Sequence, residues 1–128
     1  MFDAEAASFV CDFIEYLTCS NGAPFRLMDW QRSAVTEFYG QMVQPEDDPA
    51  GSYIRRYQYL YLEIAKKNGK SELAAALGVY HLYADGEVNG EVYVVAADRD
   101  NAGIVYSAAK WMVEHSPALM KRSRIVDS

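Results

Sequence analysis

A glycine, a lysine and a serine occur in succession in the segment EIAKKNGKSELAAA, which spans residues 63–76. Binding a phosphate requires backbone N–H groups that converge on the anion, a helix N-terminus whose dipole favours negative charge, and a cationic and a hydroxyl side chain. Gly69 lets the backbone approach the phosphates, Lys70 is placed for the β- and γ-phosphates, and the Ser71 hydroxyl can ligate Mg²⁺. The spacing therefore predicts a phosphate-binding loop that opens a helix.

One position departs from the usual phosphate-loop pattern. Ile64 stands where the pattern has its first glycine. The short sequence GKS also occurs by chance, so the argument depends on the flanking segments: an apolar, tyrosine-rich stretch precedes the loop and an alanine-rich stretch follows it, in the order that phosphate loops require. The alternative is a charged turn, which does not explain why Lys66, Lys67 and Lys70 crowd one strand end.

A glutamine upstream of the loop is a candidate for recognising a base. Gln31 lies in the segment FRLMDWQ, just inside a predicted helix. Its amide offers one donor and one acceptor, which match the 6-amino group and N7 of adenine. A glutamine on a helix is more often solvated, and Trp30 is expected to pack in the core rather than to stack on a base. The residue types alone leave both roles of Gln31 open.

The other residues that often carry chemistry lack the neighbours that such chemistry needs. Cys11 and Cys19 are predicted in one helix about 12 Å apart along its axis, too far for a disulfide, and are expected to be buried free thiols. His81 and His115 have no cysteine or aspartate at metal-ligand spacing, so a zinc site is not expected. Asp98 and Asp100 are more often helix caps than catalysts.

The pattern of apolar residues predicts helices alternating with strands after an initial helical pair. The two strands are apolar enough to be central in a sheet. A strand–helix–strand–helix order predicts an α/β three-layer domain with a parallel sheet, incomplete at its C-terminal end and preceded by two helices. We predict one domain overall, with a helical segment at 1–56 and the front part of the core at 57–128. The predicted helices are 3–19, the segment 25–40 with Asp29 as its N-cap, 70–84 and one starting at Asp98 or Asp100 and closed by Pro117. An acidic, exposed loop is predicted at 44–52, and the predicted strands are 57–64, 91–97 and an opening one at 124–128.

Composition narrows the class of function. The chain has 128 residues, enough for one domain, with a net charge of −6. A protein that grips DNA alone normally presents a basic face, so the charge argues against DNA binding by this chain on its own. The start of the sequence is acidic where a secretory signal is basic, and no apolar run is long enough to span a bilayer. A cytoplasmic protein is expected.

Three segments together resemble a known family. FRLMDWQ, then YLEIAKKNGKSELAAA, then VYVVAADRDNAGIVYSAAKWMVEHSPAL are similar, in this order, to the N-terminal ATPase region of terminase large subunits. These proteins are the DNA-packaging motors of tailed bacteriophages, and the resemblance covers roughly residues 22–120. In that family the first glycine of the phosphate loop is commonly absent, so Ile64 is compatible with it. The resemblance implies a P-loop NTPase-like fold that binds ATP with Mg²⁺.

The resemblance also implies roles for individual residues. Gln31 would contact adenine, Ser71 would ligate Mg²⁺, and Lys70 would be catalytic. Lys66 would stand where related motors carry an arginine that senses the γ-phosphate, although a lysine is a point charge rather than a planar fork. Asn101 falls loosely where relatives often have glutamine. The nucleotide contacts implied in full are Gln31, Lys67, Asn68, Gly69, Lys70 and Ser71.

An acidic pair that ends an apolar strand, holds Mg²⁺ and activates water is not found in the sequence. Asp127 follows only two apolar residues and precedes Ser128, so it is interpreted as a strand-end residue. We therefore expect the chain to resemble the front part of a terminase that binds nucleotide weakly without turning it over. Viral double-stranded DNA, the small terminase subunit and the portal are implied partners, mostly through regions further along in the family, and open sheet edges predict self-association.

Two alternatives stay open at this point. One is a non-enzymatic prophage remnant or interaction fragment whose phosphate loop is vestigial. The other is a fragment of a helicase-like ATPase, which shares the glutamine and the phosphate loop. The segment ADRDNAG followed by MVEHSP favours the terminase over the helicase.

Overall fold

The computed structural model of the chain describes residues 1–48, 50–61, 70–86, 90–96 and 99–126. These residues form α-helices and one two-stranded antiparallel sheet. The chain divides into two compact units, the first made of Met1–Phe13 and Arg26–Glu63 and the second of Ile14–Phe25 and Ile64–Ser128. The elements are α1 (Ala4–Tyr16), α2 (Asp29–Gly40), β1 (Met42–Val43), β2 (Ile54–Arg55), α3 (Lys70–Tyr83), α4 (Arg99–Glu114) and α5 (Pro117–Met120).

The four long helices confirm the helical periodicity of the sequence. Each begins within one residue of its predicted start, and α2 begins at Asp29, the residue predicted as its N-cap. The apolar stripe of α1 is mostly buried, as Val10 and Ile14 show, but Phe9 is 49% exposed and does not belong to the core. Periodicity locates a helix face within about one residue, so a position at its edge is the one that fails.

In the first unit a short backbone ladder brings the start of the chain against β1. The Met42 N–H donates to the Met1 carbonyl over 2.8 Å, and the Asp3 N–H donates to the Gly40 carbonyl over 2.7 Å. β1 pairs with β2 in antiparallel register, with Met42 opposite Arg55. The residues between β1 and β2 include the acidic loop that the sequence predicts, and its described acidic side chains are exposed. Two-residue strands carry no period-two signal, so the sequence did not predict this hairpin.

In the second unit α3 packs against α4, which in turn contacts α5. Small residues on α3, such as Ala75 and Ala76, are completely buried and permit a close approach between the helices. Leu73 and Met112 supply the large buried side chains of the two helices. This packing fixes the start of α3, where the predicted phosphate-binding residues lie.

The two segments predicted as buried strands form no strand in the parts that the structure describes. Tyr59 is 90% exposed and Val95 is 89% exposed, where central strands would be covered. The prediction of strands in 57–61 and 91–96 is wrong for these residues, since β propensity reports the fit to a pleated surface and not the presence of a hydrogen-bonded neighbour. Residues 62–64 and 97 lie outside the described part. The expected opening of a third strand at 124–126 is likewise not a strand.

Three further predictions about helix ends need correction. The N-cap of α2 is Met28 and not Asp29. The Met28 N–H donates to the side chain of Gln31, three residues further on, so no aspartate side chain is needed to cap this end. Pro117 does not close α4, which ends at Glu114. It is the first residue of α5, a position whose N–H would have no acceptor within the helix, so the missing N–H of proline costs nothing there. Cys19 lies beyond the end of α1, in the turn that follows it.

Candidate functional site

Two of the predicted phosphate-binding residues, Lys70 and Ser71, are the first residues of α3. Lys70 is its first residue and is exposed, and Ser71 follows with a partly exposed side chain. The first backbone N–H groups of a helix have no intrahelical acceptor, so they and the helix dipole favour an anion at this end. The remaining predicted members of the loop, Lys66, Lys67, Asn68 and Gly69, lie outside the described residues, and their roles stay predictions.

A cavity of about 770 Å³ in the second unit borders Ser71. Its lining combines side chains of the first turn of α3, of α4 and of the turn after α1. Hydroxyl and carboxylate groups predominate among its polar members, so it suits groups that donate hydrogen bonds or carry positive charge. The polar members are Ser20, Ser71, Glu72, Asp100, Ser107 and Trp111.

Glu72 connects the start of α3 to the turn after α1. The Ser20 hydroxyl donates a hydrogen bond to Glu72 Oε1, across 52 residues of sequence. Glu72 Oε2 is shielded from solvent and has no hydrogen-bond partner in the described part of the chain. The sequence reasoning missed both residues: the adjacency of Glu72 to the GKS motif was a usable signal, whereas nothing local marks Ser20 as its partner.

The charge of Glu72 is felt at a neighbouring thiol. Burial raises the pKa of the Cys19 thiol above its ordinary value, and the negative charge of Glu72 raises this pKa further. A raised pKa means that the thiol stays neutral at physiological pH. Cys11 is completely buried and Cys19 partly so, and both are free, which confirms the absence of a disulfide between them.

Gln31, the predicted adenine contact, lies in the first unit and is only 2% exposed. Its Oε1 accepts a hydrogen bond from the Met28 N–H over 2.8 Å, which caps α2. One of the two acceptor positions of this oxygen is therefore engaged by the protein backbone. The role of Gln31 towards adenine stays a prediction.

Other residues singled out from the sequence have mainly local partners. His81 Nδ1 lies 3.3 Å from Oδ2 of Asp85, which follows the end of α3, so an aspartate does stand four residues from this histidine, contrary to the expectation. The rings of His115 and Trp111 stack with centroids 3.5 Å apart. In the residues that the structure describes, no three His, Cys, Asp or Glu side chains lie close enough to hold a metal ion. Asp100 and Asn101 belong to the first turn of α4, and Asp127 lies outside the described residues.

A nucleoside triphosphate with Mg²⁺ fits the groups present at the start of α3. The Lys70 ammonium is accessible for phosphate oxygens, and the Ser71 hydroxyl is the kind of oxygen ligand that Mg²⁺ accepts. The N–H groups of the first helical turn, which have no acceptor within the helix, complete a donor set suited to a polyanion.

Comparison with known proteins identifies the family. The family model for the terminase large subunit, ATPase domain, matches residues 29–128. The chain belongs to this family. It is 32% identical over 108 residues to the terminase large subunit of Enterobacteria phage HK97. Its fold is similar to the crystal structure of the HK97 bacteriophage large terminase, with a TM-score of 0.75 over 100% of the chain at 32% sequence identity.

The chain spans only part of the terminases that it matches. The aligned region covers 84% of this chain but 19% of the HK97 large subunit, and 24% of the solved terminase chain. The matches therefore establish the terminase ATPase region and not the activity of a whole subunit. No helix among the described residues is both long and apolar enough to cross a lipid bilayer.

Proposed function

We propose that this chain is the ATP-binding front part of a phage terminase large subunit, the ATPase motor that translocates viral DNA into the capsid. The observation that carries the proposal is the position of Lys70 and Ser71 as the first two residues of α3, in a chain that belongs to the terminase ATPase family. A vestigial loop or a helicase-like fragment has no comparable support.

Each residue of the site has a distinct role in the proposal. The Lys70 ammonium binds the β- and γ-phosphate oxygens, and the N–H groups of the first turn of α3 bind the remaining phosphate charge. The Ser71 hydroxyl would hold Mg²⁺. When bound, this ion neutralises negative charge on the phosphates. Lys66, Lys67, Asn68 and Gly69 would complete the loop, with Lys66 beside the γ-phosphate.

The proposal assigns recognition of the base to Gln31. The Oε1 of Gln31 accepts the Met28 N–H, and the NH₂ group of the same amide can donate a hydrogen bond to N7 of adenine. Because Gln31 is buried, the contact requires that the base reach into α2 or that the α2 start open on binding.

The proposed fold is that of a P-loop NTPase with a three-layer arrangement and a parallel sheet. Support comes from the family match and from the similarity to the HK97 large terminase, because the described residues 57–61 and 91–96 form no strand. In the second unit an apolar cavity of about 520 Å³ lies between α3, α4 and residues 92–95, which is the kind of surface that helices present to a sheet.

Partners follow from the family rather than from the surface of this chain. Double-stranded viral DNA, the small terminase subunit and the portal are the proposed partners of the whole subunit, in the cytoplasm of a bacterial host. The net charge of −6 makes these 128 residues a poor DNA binder by themselves. Exposed apolar side chains, such as those of Tyr93 and Val95, make self-association of the chain a further proposal.

Calorimetric titration with ADP and Mg²⁺ tests the proposal. We expect saturable binding by the chain, and a Lys70→Ala variant should raise the Kd at least about tenfold, because a charge-assisted contact to phosphate is removed. Lys121→Ala removes an equally exposed lysine after α5 and should leave the Kd unchanged. Absence of binding, or equal loss in both variants, would refute the phosphate site.

The same proposal predicts binding without turnover. The sequence has no apolar run that ends in an acidic pair, so the proposal includes no glutamate that activates water. Phosphate release from ATP should therefore stay at the background rate, and a rate that Lys70→Ala abolishes would contradict this part alone.

A further inference from the structure

The turn between α1 and α2 is held rigidly by its own hydrogen bonds. We call residues 18–24 the 18–24 turn. The Cys19 N–H donates to the Ala23 carbonyl and the Gly22 N–H donates to the Cys19 carbonyl, both over 2.8 Å. Asn21 Oδ1 accepts the Ala23 N–H over 2.9 Å, and Gly22 has a φ of 87°, which favours glycine. The backbone at Ser20 is thus fixed before any ligand binds.

The ends of this turn are anchored in the core of the second unit. Leu17 and Phe25, which flank the turn, are both buried, and the Phe25 N–H donates to the Leu17 carbonyl over 3.0 Å. A turn anchored at both ends presents its apex at a defined place. That apex carries the Ser20 hydroxyl, which donates to Glu72 Oε1.

Glu72 lies in the first turn of α3, next to Ser71 and two residues after Lys70. The first turn of a helix has few intrahelical hydrogen bonds and frays easily. A contact that holds this turn in place reduces the conformational entropy that a ligand has to remove when it orders the site. The shielding of Glu72 Oε2 shows that the carboxylate is held against the protein rather than extended into water.

We propose that the 18–24 turn positions the phosphate-binding start of α3 through the hydrogen bond from Ser20 to Glu72. Ser20 and Glu72 act as positioning residues, since neither is placed on the nucleotide. The inference rests on the proposed function and adds a coupling to it: binding of a nucleotide at Lys70 and Ser71 restrains the 18–24 turn, and loosening this turn weakens nucleotide binding.

The test uses the hydroxyl of Ser20, which is exposed and can be removed without opening the core. Ser20→Ala should raise the Kd for ADP with Mg²⁺ about 3- to 10-fold, the range expected for one hydrogen bond to a charged group near solvent. Ser20→Thr keeps the hydroxyl and should restore the affinity, and Glu72→Gln should weaken binding without adding to the effect of Ser20→Ala. Ser107→Ala removes another hydroxyl from the lining of the same cavity and should have no effect.

A second readout separates coupling from general stabilisation. Cys19 is the partly accessible thiol and Cys11 is completely buried, so a small alkylating reagent reports on the 18–24 turn. ADP should slow the alkylation of Cys19 in the parent chain, because coupling between two sites is reciprocal. In Ser20→Ala, ADP at a saturating concentration should leave the alkylation rate unchanged.

The outcomes distinguish this inference from the proposed function. Lys70-dependent ADP binding that is equally tight in Ser20→Ala and Ser107→Ala would overturn the positioning role and leave the phosphate site in place. Equal protection of Cys19 by ADP in the parent chain and in Ser20→Ala would overturn it as well. A parent chain that does not bind ADP would overturn both.

Discussion

Gln31 combines a structural task with its proposed contact to adenine. Its side chain is buried, and its Oε1 accepts the Met28 N–H at the start of α2. Replacing it with methionine keeps the volume but leaves this partly buried N–H without an acceptor. Gln31→Met should therefore lower the free energy of unfolding by about 1–3 kcal/mol, measured by urea denaturation.

A matched control separates this effect from helix propensity. Ser33 lies on the exposed side of α2, and Ser33→Ala should change the free energy of unfolding by less than about 0.5 kcal/mol. Equal stability of Gln31→Met and Ser33→Ala would show that the capping contact contributes nothing. A loss of ADP affinity in Gln31→Met supports the adenine contact only if the variant is fully folded under the conditions of the titration.

The Cys19 thiol gives stability a dependence on alkaline pH. Its pKa is raised in the folded chain, by burial and then by the charge of Glu72, so the folded state binds the proton more tightly than the unfolded state. Its contribution is fully present below the unfolded pKa of about 8.5 and is lost as the pH rises through the folded pKa. The stability of the parent chain relative to Cys19→Ser, measured by guanidinium denaturation, should fall as the pH rises above about 8.5. A difference that stays constant with pH would contradict this.

The residues of the site differ in how far the sequence reveals them. Lys70 and Ser71 are adjacent, and their position at a helix start follows from local pattern, so the sequence was sufficient to predict that they begin a helix. The bond from Ser20 to Glu72 joins residues 52 apart, and only the packing of the second unit brings them together. The capping role of Gln31 was also missed, because Asp29, directly after the actual N-cap Met28, is of a residue type that commonly caps helices.

Among the elements, the end of α2 depends on a close approach between Gly40 and the ring of Phe2. A Cβ built on Gly40 would overlap the Phe2 side chain. Gly40→Ala should therefore cost about 1–3 kcal/mol of unfolding free energy, since the ring has to move. In a Phe2→Ala background the same change should be neutral or mildly stabilising, which a double-mutant cycle by urea denaturation can measure.

Gly103 in α4 provides the matched control for this prediction. A Cβ at Gly103 meets no atom within 4 Å, and the residue lies inside a helix. Gly103→Ala should stabilise the chain by about 0.5–1 kcal/mol through helix propensity alone. Similar effects of alanine at both glycines would show that the Phe2 contact does not determine the stability of α2.

Helices were predictable here and strands were not, for a physical reason. The hydrogen bonds of a helix join residues four apart, so the pattern of α3 and α4 contains what their formation requires. A strand needs a partner elsewhere in the chain, and the valines and tyrosines of 91–96 report only a preference for a pleated surface. The short pair β1 and β2 shows the converse, because it forms through pairing with almost no pattern.

For the whole molecule, the net charge and the exposed apolar surface lead to opposite expectations about self-association. The net charge of −6 favours solubility and keeps the copies apart. In the second unit, however, Val95 is 89% exposed in an apolar stretch that forms no strand within the described residues, next to the cavity lined by α3 and α4. Unpaired extended backbone with apolar side chains is a template for pairing with another chain. We expect association through residues 91–96 to outweigh the charge repulsion between copies at high protein concentration and high salt.

Sedimentation velocity over a series of concentrations tests which of the two prevails. The parent chain should form a reversible dimer or larger species as concentration and salt increase, because salt screens the repulsion between acidic copies. Val95→Glu places a charge in the apolar stretch and should shift the chain towards monomer. Ile104→Glu introduces the same charge at an exposed apolar residue of α4 that does not line this cavity, and should leave the association intact. A parent chain that sediments as a monomer throughout, or an equal effect of both variants, would exclude association through residues 91–96.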